Sequence, residues 1–228
     1  MYQPMLYLHW KQIRLVLLPF MVAAFALPLV TVAGLGGAPA GTTETALNAY
    51  AIVEMVRFWL PVFPALAAAV GITLALSAWN WDHRLGHVYA LSLPLSRTEY
   101  ALLKMGAGAT LAMLPGIALW LGAHVASAAV ALPPGLHAYP NQLALRFALA
   151  TLISYSVLFA MASGTVKTSM WILAGVSAVV VLGILGTDWT FLQDSALGTD
   201  PLQTVIDWLM QGPGPFEIFT TNWSLIDV

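Results

Sequence analysis

Residues 82–100 read Asp82-His83-Arg84-Leu85-Gly86-His87-Val88-Tyr89-Ala90-Leu91-Ser92-Leu93-Pro94-Leu95-Ser96-Arg97-Thr98-Glu99-Tyr100. A long apolar run precedes this stretch and another follows it, each of the roughly twenty or more residues that a spanning helix needs. A segment this rich in charged and polar groups cannot lie in hydrocarbon, where unpaired polar groups are costly. It belongs at a membrane surface, between two spanning helices, where something in the adjoining aqueous phase can push on it.

The composition agrees. Of 228 residues, 60% are hydrophobic and 8% are charged. The mean hydropathy is +0.82. A soluble protein carries roughly 25% charged residues, so too few remain here to coat a globule of this size. Long apolar runs, rather than short alternating ones, argue for helices and against a β-barrel. The expected fold is all-α, a single polytopic membrane bundle over residues 1–228. The net charge of −2 excludes nucleic acid as an obvious partner. The chain has no cysteine, which removes disulfides, thiol nucleophiles and lipid attachment at sulfur.

Working outward, residues 1–14 form an amphipathic stretch. Tyr2, Met5, Leu6, Leu8 and Trp10 alternate with Gln3, His9, Lys11, Gln12 and Arg14. This pattern predicts an interfacial helix that turns into the first span. The apolar region that follows is too long for a cleaved signal. Spans are expected at roughly 15–34, 57–81, 101–131, 143–163 and 170–187. Pro19 and Pro28 interrupt the first, where neighbouring helices must re-satisfy the freed backbone groups. Trp79-Asn80-Trp81 closes the second with an aromatic belt.

Residues 188–228 differ in character. They hold Asp188, Asp194, Asp200, Asp207, Glu217 and Asp227, with three Trp, three Pro and no Lys or Arg. No window there is apolar enough to span, so a surface tail is expected. Lys11, Arg14, Arg84, Arg97, Lys104 and Lys167 fall on one side of this layout, and Arg57 and Arg146 on the other. Positive loops stay in the cytoplasm. That orients the N-terminus and residues 82–100 inside and the acidic tail outside.

Few residues suggest chemistry. His83 and His87 stand at i, i+4, but no third or fourth ligand lies at a usual spacing, so no metal site is read there. Glu54 and Arg57 stand at i, i+3 and fit an interfacial pair. His124 near the outer end of the third span and Arg146 at the start of the fourth are the candidate pathway residues, each with snorkelling as its simpler account. Gly106 and Gly108 read as helix packing sites. No Gly-x-Ser-x-Gly elbow, H-E-x-x-H or Walker motif is present, and the spans look nearly free of ionisable groups. No catalytic, cofactor-binding or metal-ligating residue is assigned, and the chain does not read as an enzyme.

At residues 82–104 the chain resembles the permease subunit of ABC-type exporters with six-helix halves. The matching residues are Asp82, Arg84, Gly86, the string Leu93-Pro94-Leu95-Ser96-Arg97, and Lys104. The family usually has Glu where Asp82 stands. The resemblance extends over residues 1–187 in layout, and no counterpart of the family's sixth span is read in residues 188–228.

The resemblance implies a mechanical role. A separate ATPase subunit, which binds ATP and Mg, would grip a cytoplasmic coupling helix. The residues implied are Asp82, His83, Arg84, Gly86, Leu91, Leu93, Pro94, Leu95 and Arg97. A second permease chain, identical or not, would face this one, with membrane lipid around both and a periplasmic partner for the tail. The substrate would be hydrophobic or amphipathic, and the location the cytoplasmic membrane of a bacterium or archaeon. The alternative is a non-transporting scaffold that docks an external complex through its Trp-rich acidic tail.

Overall fold

The computed structural model describes residues 2–33, 53–54, 56–84, 95–130, 132, 135–164, 170–171 and 216–227. They are mostly helical. The long helices are α1 (Tyr2–Ala33), α2 (Val62–Arg84), α3 (Arg97–Ala129) and α4 (Pro140–Ala162). A two-residue strand β1 (His137–Ala138) pairs antiparallel with β2 (Ile226–Asp227). A single turn of 3-10 helix covers Glu217–Phe219.

Among the described residues, four helices are long and apolar enough to cross a membrane, the second counted as Val56–Arg84. They mark the chain as a membrane protein. The expected fifth span lies almost wholly outside the described residues.

α1 differs from expectation. The turn predicted near residue 14 is absent, and one unbroken helix of 32 residues runs from Tyr2 to Ala33. At 1.5 Å per residue it is about 48 Å long, well beyond a hydrocarbon core of about 30 Å. Its polar first turns can therefore clear the apolar layer without a bend. His9, Ile13, Leu17, Ala24, Leu27, Pro28 and Thr31 fall on one buried stripe at helical spacing. Leu15, Val22 and Phe25 stay exposed, as lipid-facing residues do.

The ends of α3 are set by local chemistry. Ser96 is its N-cap: the Ser96 hydroxyl accepts from the Glu99 amide at 3.2 Å, and Glu99 Oε2 accepts from the Ser96 amide at 2.9 Å. This reciprocal box satisfies two groups that a helix start otherwise orphans. Val130 is extended and Pro133 follows, so the helix stops. α4 starts with Pro140, whose ring pre-sets a helical φ and whose missing N–H costs nothing there. Between them Gly135 holds φ at +95°, a turn that favours glycine.

The helices pack as two parallel pairs, α1 with α3 and α2 with α4, joined along an antiparallel α3–α4 seam. Close approach at the crossings needs glycine. A Cβ on Gly71 would lie 2.6 Å from Ser154 Cβ and 2.7 Å from the Thr151 carbonyl oxygen. A Cβ on Gly108 would strike the Tyr155 ring, and one on Gly122 the backbone of Phe25. Lipid tails are as apolar as leucine, so such small-residue contacts are a main source of attraction between spanning helices. The Gly108 reading holds, while Gly106 meets only the Tyr2 ring, at 3.5 Å.

Residues 216–227 return to the end of the bundle where α4 begins. Trp223, Leu225 and Ile226 are buried there. The ladder pairs His137 with Asp227 and Ala138 with Ile226, and the Tyr139 amide donates to the Leu225 carbonyl at 2.8 Å.

Candidate functional site

The start of α1, the end of α2, the start of α3 and the end of α4 converge at one end of the bundle. Asp82, in the last turn of α2, is buried at 4% exposure. Lys104, two turns into α3, lies with Nζ 2.5 Å from Asp82 Oδ2. The Tyr100 hydroxyl donates to the same carboxylate, 3.0 Å from Oδ2 and 3.1 Å from Oδ1. The Lys104 ammonium also stands 4.4 Å from the Trp79 ring centroid and 5.2 Å from that of Tyr100. Both are cation–π distances, and withdrawal from water strengthens them. Removing either charge alone would strand its partner, at a cost of about 3–5 kcal/mol.

α2 also caps α4. Trp79 and His83 stand one turn apart on α2 and reach carbonyls in the last turn of α4. Trp79 Nε1 donates to Phe159 O at 3.1 Å, and His83 Nε2 lies 3.0 Å from Ala162 O. Last-turn carbonyls have few partners within their own helix and are expensive to leave bare in lipid. The Tyr155 hydroxyl donates to Met105 O at 3.1 Å, which ties α4 to α3 over Gly108. His9 is buried at this end as well, and its Nε2 has no hydrogen-bond partner among the described residues.

The residues assigned to coupling separate into three groups. Asp82 is buried in the packed interior, paired with Lys104. The reason is that α2 runs on to Arg84, three residues past its expected end, and turns Asp82 toward α3. His83 is half-buried and occupied with α4, whereas Arg84 and Arg97 are exposed and Leu95 is intermediate. Gly86, Leu91, Leu93 and Pro94, with His87, lie outside the described residues.

The expectation that the helices are nearly free of ionisable groups needs correction here. Asp82, Lys104 and His9 are buried together at one end. Sequence reasoning took Asp82 and Lys104 as flanking motif residues and missed their pairing, along with Tyr100 and Trp79. The available signal was a lone acid and a lone base at the facing ends of consecutive spans.

The opposite end holds the two candidate pathway residues, and the structure does not bring them together. His124 Nε2 lies 3.1 Å from Asn141 Oδ1, which also accepts from Trp120 Nε1 at 2.8 Å. Arg146 lines a separate polar cleft with residues of the C-terminal segment. The Glu54–Arg57 pair forms at 3.5 Å and is largely exposed. Among the described residues no group of three or more His, Cys, Asp or Glu could hold a metal ion.

No protein-family model, curated protein or solved structure matches this chain.

Proposed function

We propose that this chain is the transmembrane permease subunit of an ATP-driven exporter, worked by a separate ATPase subunit through residues 82–97. What carries this reading is that the link between α2 and α3 is clamped at both roots. Asp82 holds one root and Tyr100 and Lys104 hold the other, in one buried ion pair. The Ser96–Glu99 box stiffens the first turn of α3 beside it. A force on Leu91, Leu93, Leu95, Arg84 or Arg97 would pass into α2 and α3 together, and through Trp79, His83 and Tyr155 into α4. A packed bundle responds to such a load by moving as a body.

A polar stripe on α2 supports transport over simple anchorage. Thr73, Ser77, Asn80 and Arg84 follow one another at helical spacing and, with Leu76 and His83, line an open cleft of about 640 Å³. The Thr73 and Ser77 hydroxyls donate to carbonyls of their own helix. Asn80 is exposed, and no hydrogen bond of its side chain forms among the described residues. Polar groups on a spanning helix face a water-filled path or a neighbouring chain rather than lipid. On this reading α2 borders the path, a second permease chain lies across it, and ATP and Mg bind only to the partner ATPase. The membrane is the cytoplasmic one, with the N-terminus inside.

The alternative, a scaffold without transport, draws on the seated Trp223 segment. Reconstitution separates the two readings: substrate-stimulated ATP hydrolysis is expected of a permease complex and not of a scaffold. Within the complex, Leu93→Glu and Arg97→Glu are expected to abolish association with the ATPase. Association that survives both substitutions sinks the coupling claim.

A further inference from the structure

The cleft around Arg146 has walls of two kinds. On the α4 side stand Tyr139, Gln142 and Arg146, and on the side of the C-terminal segment stand Asn222, Ser224 and Asp227. The second wall is occupied with itself. Asn222 Nδ2 donates to Asp227 Oδ2, the Ser224 amide donates to Asn222 Oδ1 at 2.9 Å, and the Ser224 hydroxyl donates to the Ile226 carbonyl. The first wall is not. The Tyr139 hydroxyl, the Gln142 amide and the Arg146 guanidinium form no side-chain hydrogen bond or ion pair among the described residues. Three sets of donors, one of them a permanent cation, therefore converge on one space with no acceptor committed to them among the described residues.

That space is about 240 Å³. It falls below the roughly 300–1,000 Å³ of pockets that enclose drug-sized molecules, so it suits a small charged group rather than a whole substrate. Its depth is informative. Arg146 stands six residues after Pro140, about 9 Å along α4. Tyr139 lines the cleft and Trp120 donates to Asn141 in the first turn of the same helix, and their amphipathic rings favour the headgroup level of a bilayer. The abundant anion at that level is phosphate, which accepts hydrogen bonds and donates none when ionised. Its paired oxygens match the planar fork of arginine.

We propose that this cleft binds a phosphate group, with Arg146 as the charged anchor and Gln142 and Tyr139 as neutral donors. Asp227 is the opposing element. Its carboxylate borders the same space and weakens the hold on an anion, so the site is tuned for exchange. The inference is independent of the permease reading, since it needs neither an ATPase nor transport.

The test is native mass spectrometry of the full chain released from micelles. The probes are phosphatidylglycerol, a diacylglycerol of the same acyl chains, and glycerol 1-phosphate as a soluble competitor. Wild type is expected to retain phosphatidylglycerol and not diacylglycerol. Arg146→Gln is expected to weaken retention about tenfold or more, with Arg146→Lys between the two, because lysine keeps the charge but loses the fork. Asp227→Asn is expected to tighten retention, which loss of a merely structural contact would not do. Displacement by glycerol 1-phosphate marks a site that takes soluble phosphates, and failure to displace marks one that needs the lipid; either result keeps phosphate as the ligand. Equal retention by wild type, Arg146→Gln and Asp227→Asn overturns the proposal, as does binding of neither phosphate probe. If Arg146→Gln does not fold, Tyr139→Phe and Asp227→Asn decide in its place, with losses and gains in the same directions.

Discussion

Lys104 Nζ lies 2.5 Å from Asp82 Oδ2, and the two side chains are each only 5% exposed. The pair joins the last turn of α2 to the second turn of α3 across the intervening segment. Tyr100 completes the carboxylate's bonding, and the Trp79 face shields the ammonium. With both charges this deep, neither tolerates the loss of the other.

Asp82→Leu and Lys104→Met are each expected to destabilise the bundle by about 3–5 kcal/mol, because each strands the buried charge of its partner. The double substitution Asp82→Leu with Lys104→Met is expected to recover much of that loss, since no charge remains buried. Unfolding in a mild detergent, followed by the circular dichroism of the helices, gives the four corners of the cycle. Additive losses would mean that the two residues do not act as a pair.

Glycine substitutions should sort by what the added methyl meets. Gly71→Ala, Gly108→Ala and Gly122→Ala each force a methyl into atoms closer than 3.0 Å and are expected to cost about 1–3 kcal/mol. Gly116→Ala meets only Ala148, at 3.6 Å, and is expected to be near neutral. Tyr155→Phe should partly rescue Gly108→Ala, because the phenolic oxygen is the nearest obstacle. Thermal midpoints of the five proteins check the order.

Ser96→Ala removes the acceptor of the capping box and is expected to cost about 1 kcal/mol. The effect should be local. Hydrogen exchange at the amides of Thr98, Glu99 and Tyr100 should speed up, while amides near Leu119 in the same helix stay protected. On the permease reading the same change should lower transport per ATP hydrolysed, because a frayed first turn transmits less of the push.

Asn80→Leu separates a path-lining residue from a packing one. Asn80 is exposed and makes no side-chain hydrogen bond among the described residues, so stability should hold to within about 0.5 kcal/mol. Transport by the reconstituted complex should fall. A large drop in the thermal midpoint would show instead that Asn80 is buried against a second chain.

Much of this was legible along the chain. Helical spans near residues 15–34, 57–81, 101–131 and 143–163 follow from run length alone, because hydrocarbon admits only segments that satisfy their own backbone. The start of α3 was readable from Ser96 and Glu99, a Ser-x-x-Glu signature. The charged ends and the Glu54–Arg57 pair follow from spacing. The tertiary structure alone decided which faces meet. In water a helix announces its packed face by apolar contrast, but in lipid both faces are apolar and periodicity loses that information. Hence the burial of Asp82 against Lys104, the capping of α4 by Trp79 and His83, and the meeting of Arg146 with Asn222 and Asp227 could not be read from residue order. Each depends on contacts between segments far apart in the chain, whose partners are selected by the small-residue crossings at Gly71, Gly108 and Gly122 and, at the other end, by the short β ladder.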